Sequence, residues 1–198
     1  MDDLEANKED DIGTDIHIAA EFYKDGSWHL ANIVLTQDRN YRAFAVLANV
    51  RNGVGFAGFS TGEALIPISE PRGLPDDMSP ELRTKLEMKI KDDEDAEQFW
   101  LGNQSFSWVT LKELLEYDLD APVTVRGYVS REAAQRYRET GEIPGSFAAS
   151  TWTHHEGFEQ IEWQVPIRES AWLIPRLIEE IRGLGDPENV RLVFGFDN

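Results

Sequence analysis

The chain has 198 residues, 41% hydrophobic and 11% aromatic, enough to bury a core of good size. Its 37 acidic against 19 basic residues give a net charge of −18, which excludes non-specific nucleic-acid binding, a task that needs surplus Lys and Arg. Cysteine is absent, so disulfides, thiolate nucleophiles and cysteine-based metal sites are excluded too.

Residues 1–11, MDDLEANKEDD, are polar and mostly acidic and read as a mobile tail. From residue 12 onward the chain reads as one domain. The stretch GTDIHIAAEFYKDGSWHL gives two strands joined at Asp25-Gly26, a favoured hairpin dipeptide. RNYRAFAVLANV follows with helical spacing of Phe44, Leu47 and Ala48, and ends at the glycine-rich RNGVGFAGFSTGEA. Prolines around Arg72 and Asp76 stiffen the next loop. Ser79-Pro80 then starts a helix as cap and first residue.

Thr110 and Glu113 form a capping-box pattern ahead of Leu114 and Leu115. APVTVRGYVS reads as a strand, Ser130 as the cap of REAAQRYRET, and Gly141 as its stop. QIEWQVPI alternates, with Ile161, Trp163, Val165 and Ile167 on one face. WLIPRLIEEIRGLG is a helix with Pro175 near its first turn, and NVRLVFGFDN is a final strand. The order predicts one α+β domain: a mixed, mainly antiparallel sheet opened by the hairpin and packed with about four helices. No signal-peptide pattern opens the chain and no apolar run approaches membrane-spanning length, so a cytoplasmic address and no membrane partner are expected.

Asp15 and His17 sit two apart on the first strand and so share one face. A carboxylate and an imidazole placed so could take two positions of a divalent ion, but the same pair is also an ordinary polar strand edge. Asp197, at the end of the final strand, is a third candidate donor. His29, across the hairpin, could face His17, whereas His154 and His155 fall in a loop. Arg39-Asn40 at a helix start, Arg51-Asn52 at a helix end and Arg72 in the proline-rich loop are candidate grips for phosphate. The structural alternatives stay open: Arg51 suits the helix dipole without any ligand, and Arg72 could be tied to Asp76. GVGFAGF lacks the ending and setting of a phosphate-binding loop, and no serine stands in a nucleophile-elbow sequence.

GTDIH, RNYRAFAVLANVRN, EPRGLPDD, SFSWVTLKELLEYD and VRLVFGFDN together resemble a family of uncharacterised bacteriophage proteins. That family opens on a Gly-Cys-Asp-Ile-His-like strand and closes on a Phe-Asp-Asn-like tail. Here Thr14 stands at the family's Cys. Gln104, Ser105, Phe106, Ser107 and Trp108 stand where it has a His-Ser-His-Ser-Trp-like run.

The resemblance implies a phage accessory protein in the host cytoplasm, acting on a phosphate-bearing nucleotide such as a host immune signal. Arg39, Asn40, Arg51, Asn52, Arg72, Ser107 and Trp108 would bind it, by phosphate contacts and base stacking. One expectation is a metal-dependent phosphodiesterase with Asp15 and His17 catalytic and Asp15, His17 and Asp197 holding a divalent ion. Two others remain: an oligomeric sponge that sequesters the nucleotide uncleaved, and an acidic decoy for a basic host protein.

Overall fold

The computed structural model describes residues 13–55, 58–89, 101–142 and 156–197. The acidic segment 1–11, His154, His155 and Asn198 lie outside them. The fold is α+β, as the order of elements predicts, and the described residues form six helices and two antiparallel sheets in place of the single sheet expected.

Strands β1 (Asp15–Lys24) and β2 (Ser27–Leu30) form the opening hairpin. Asp25 and Gly26 both take positive φ, 51° and 89°, the backbone a two-residue hairpin turn demands. Helix α1 (Tyr41–Ala48) starts at Asn40, whose side chain accepts from the Ala43 amide, and stops at Asn49 in the left-handed region. Helix α2 (Pro80–Lys89) follows the proline loop, and Ser79 caps it by accepting from the Leu82 amide. Strand β3 (Gln104–Thr110) leads straight into α3 (Leu111–Glu116), whose capping box between Thr110 and Glu113 is complete.

Strand β4 (Pro122–Ser130), helix α4 (Arg131–Thr140) and strand β5 (Phe158–Pro166) form a second unit. It is closed by a small cluster of Val129, Ala134 and Ile161. The short helix α5 (Ile167–Ser170), helix α6 (Leu173–Ile181) and strand β6 (Val190–Asp197) complete the fold. Among the described residues no helix is long and apolar enough to cross a membrane.

The four-stranded sheet runs β2-β1-β6-β3, so the last strand of the chain is central. Val190, Leu192, Val193, Phe194 and Phe196 are all buried, as a strand covered on both faces must be. Alternation assigns the faces. Ile16, Ile18 and Ala20 of β1 share an apolar cluster with Leu192, Phe194 and Phe196 of β6, Phe44 and Leu47 of α1, and Ile174 and Leu177 of α6. Val123, Val125 and Val165 of the second sheet join the same cluster. The opposite face carries Ala19 and Val193 against Met78, Leu82 and Leu101. Asp15, His17, Glu21, Arg191 and Asp197 belong to that second face by the same alternation.

Candidate functional site at the β1–β6 end

Strands β1 and β6 are antiparallel neighbours, and their register places Asp15 opposite Asp197 and His17 opposite Gly195. Across 180 residues of sequence, His17 Nε2 and Asp197 Oδ2 meet at 2.8 Å. An ionised carboxylate can only accept, so Nε2 is the donor in this pair. Among the described residues Nδ1 has no hydrogen-bond partner. The pair is half-buried, with side chains 25% and 31% exposed.

Beyond the short β2, the free edge of β1 is covered by the loop leading to α1, where the Gln37 side chain accepts from the Ile18 amide. The same loop carries Arg39 to Asp15, where Nε and Nη2 donate to both carboxylate oxygens at 2.8 and 2.7 Å. The guanidinium lies over Gly13, at which a Cβ would come within 2.0 Å of Arg39 Nη1, so a side chain there would require the guanidinium to shift. The hydrogen bond from Arg39 holds the Asp15 carboxyl below its ordinary value, against partial burial, and His17 adds to the lowering. The same bond raises Arg39.

Arg51 reaches this end of the sheet through Thr14, donating from Nε to Oγ1 at 2.8 Å. Its guanidinium stands 5.6 Å from the Tyr41 ring centre. It has φ 54°, left-handed for a non-glycine residue, which costs about 1 kcal/mol or more. Asp15, His17, Arg39 and Asp197 thus gather around one strand end, and Arg51 is tied to it through Thr14, the neighbour of Asp15 in sequence. Asn40, beside Arg39, is occupied structurally: it caps α1 and donates to the Ser170 carbonyl.

The other residues singled out have different work. Asn52 is a clamp, accepting from the Leu65 amide and donating to the Leu65 carbonyl. Arg72 pairs with Glu113 at the start of α3, not with Asp76, and its guanidinium lies 4.9 Å from the Trp108 ring centre. Burial raises the Glu113 carboxyl, but the bonds from Arg72 and Thr110 outweigh it and hold the group below its usual range. Ser107 is buried and accepts from the Arg72 amide. His29 stacks on Phe22 and, by alternation, faces away from His17.

The donor chemistry of Asp15, His17 and Asp197 suits a divalent ion, but their present arrangement does not form a metal cluster. Both Asp15 oxygens are engaged by Arg39, and one Asp197 oxygen by His17. Among the described residues no three His, Asp or Glu side chains come together as a ligand set.

Sequence reasoning overlooked a second polar cluster on the same face. Arg191 is 2% exposed and Glu21 fully buried, paired at 2.8 Å. Arg191 also meets Asp77 at 2.7 Å, and its guanidinium lies 3.8 Å from the Trp28 ring centre and 5.8 Å from that of Trp108. Glu21 accepts from the Ser79 amide, and Trp28 donates to Asp77. The network ties the loop before α2 onto the sheet. Glu21 between Ala20 and Phe22, and Arg191 between Val190 and Leu192, opposite charges set among apolar residues of two strands, were the available signal. No protein-family model, no curated protein and no solved structure matches the chain.

Proposed function

We propose that the β1–β6 end of the sheet binds a phosphate-bearing nucleotide, with Arg39 and Arg51 meeting phosphate oxygens and His17 acting as the proton-handling group. The observation that carries this reading is the His17–Asp197 pair beside the Asp15–Arg39 pair. Asp197 orients the imidazole and would stabilise it once protonated, the role a carboxylate plays toward a general base. His17 Nδ1 could then take a proton from a water attacking phosphorus and return it to the ester oxygen that leaves as the P–O bond breaks, while the arginines offset the charge that develops on the phosphoryl oxygens. A host signalling nucleotide is the ligand that the likeness to phage proteins implies.

Capture without cleavage is the second reading, and one observation favours it. Arg39 engages both oxygens of Asp15, so a phosphate arriving at Arg39 exchanges one anion for another and requires no ion. Metal-assisted hydrolysis would require Asp15 to leave Arg39 and Asp197 to leave His17.

The test is incubation of the full chain with cyclic AMP, cyclic di-AMP and ADP-ribose, with and without Mn²⁺, followed by denaturation and chromatography of the released nucleotide. Binding followed by recovery of intact nucleotide supports capture. Turnover lost in His17→Ala and Asp197→Asn supports hydrolysis. No retention and no turnover of any of the three would remove the proposal.

A further inference from the structure

A second site stands apart from the β1–β6 end. A cavity of about 400 Å³ opens between the 63–66 segment, the end of α3 and the start of β4. Its wall is aliphatic, formed by Leu65, Ala121, Val123 and Ile167, with Glu63 and Tyr117 among its polar members. That volume and mostly apolar lining with a few polar groups are those of a small-molecule site.

Arg42, on α1, is 7% exposed. Its Nη1 donates to the Glu63 carbonyl oxygen, while Nε and Nη2 are buried with no hydrogen-bond partner among the described residues. The contrast with other arginines is informative: Arg39, Arg72, Arg126 and Arg191 each hold a carboxylate. In a chain with 37 acidic residues against 19 basic ones, a buried arginine with no ion pair among the described residues is not explained by any shortage of carboxylates. Buried guanidinium nitrogens left unpaired carry a desolvation cost that a ligand acceptor would remove. Burial lowers the Arg42 pKa, and Glu63 and Tyr117 both act on its charge in the other direction. Glu63 lines the cavity and Arg42 Nη1 holds its carbonyl, so the guanidinium lies behind the Glu63 part of the wall. Tyr117, which also lines the cavity, donates its hydroxyl to the Ile66 carbonyl of the neighbouring segment.

We propose that the cavity is a binding site for a small apolar monocarboxylate, its hydrocarbon body against the aliphatic wall and its carboxylate on Nε and Nη2 of Arg42. Glu63 and Asp118 also border the cavity, so an anion of higher charge is disfavoured and one carboxylate is selected.

The test is calorimetric titration of the full chain with octanoate, 1-octanol and octyl phosphate. Octanoate should bind about tenfold more tightly than 1-octanol, the advantage of a charge-assisted hydrogen bond, and more tightly than octyl phosphate. Ala121→Leu, which fills the cavity from its wall, should abolish octanoate binding with circular dichroism and melting unchanged. Arg42→Gln should reduce octanoate to the level of 1-octanol. Absence of octanoate binding, equal affinity for the alcohol, preference for the phosphate, or undiminished binding by folded Ala121→Leu would each overturn the proposal. These readouts decide it even where Arg42→Gln fails to fold.

Discussion

Replacing Arg191 with Met should destabilise the fold far more than a typical surface change. Met matches the aliphatic stem of Arg191 but leaves Glu21, fully buried, with the Ser79 amide as its remaining partner. Breaking a buried pair by removing one partner costs about 3–5 kcal/mol, because the other charge is left uncompensated. At about 2–4 °C per kcal/mol for a chain of this size, the melting temperature should fall by roughly 12 °C. Glu21→Met should cost a similar amount, since Arg191 then keeps only Asp77, whose side chain is 66% exposed. The double variant Glu21→Met with Arg191→Met removes both buried charges. It should lose only about 1–2 kcal/mol, chiefly for the orphaned Ser79 amide and the lost contact with Trp28. Urea unfolding of the four proteins gives the coupling energy directly. Losses that simply add in the double variant, or a single-variant loss below about 1 kcal/mol, would refute the argument that charge compensation holds this face together.

Other consequences follow from single contacts. Asn52→Ala strips both backbone groups of buried Leu65 of their partner and should cost about 2 kcal/mol in urea unfolding. Gly102 has φ 77°, and a Cβ there would lie 2.2 Å from the Phe196 carbonyl oxygen; Gly102→Ala should cost about 3 kcal/mol or more, seen as a loss of soluble folded protein or a large drop in melting temperature. The Asp15 carboxyl is held below its ordinary value by Arg39. Its contribution to stability is therefore present above the unfolded pKa and lost as pH falls through the lower folded value. Asp15→Asn should flatten that part of the stability-versus-pH curve below about pH 4, measured by chemical unfolding across the acid range.

Local signals were legible wherever one residue type performs one backbone task. Asp25-Gly26 can form the tight hairpin turn, Ser130 and Thr110 can accept from helix amides, and Gly141 can take the left-handed stop; each stands where its chemistry placed it. Strand β3 was harder. Its Gln-Ser-Phe-Ser-Trp start lacks clean alternation because a bulge lies between Gln104 and Ser107, with Ser105 at φ 51°. A bulge shifts the face of every residue before it, so the period-2 signal is broken in the sequence itself. The division into two sheets was also hidden, since the hydrogen-bond partner of a strand is a property of the whole chain. The pairing of β4 with β5 spans a helix and a further segment of sequence.

The polar residues show why isolated motifs mislead about roles. Arg72 and Asp76 are near in sequence, yet the geometry that satisfies a planar guanidinium is supplied by Glu113, whose carboxylate also closes the Thr110 capping box. Asn52 next to Arg51 looks like half of a ligand grip, but its amide nitrogen donates to the Leu65 carbonyl and to Asn49 Oδ1, and its oxygen accepts from the Leu65 amide. Arg42 drew no notice at all, because one arginine in an apolar helix reads as a solvated residue. Its two unpaired nitrogens exist only once α1 is buried on all sides. The same burial that makes the guanidinium costly to leave unpaired makes it worth filling with a ligand. An orphaned charge beside a cavity is therefore a stronger pointer to binding than the satisfied arginines that the sequence brought forward.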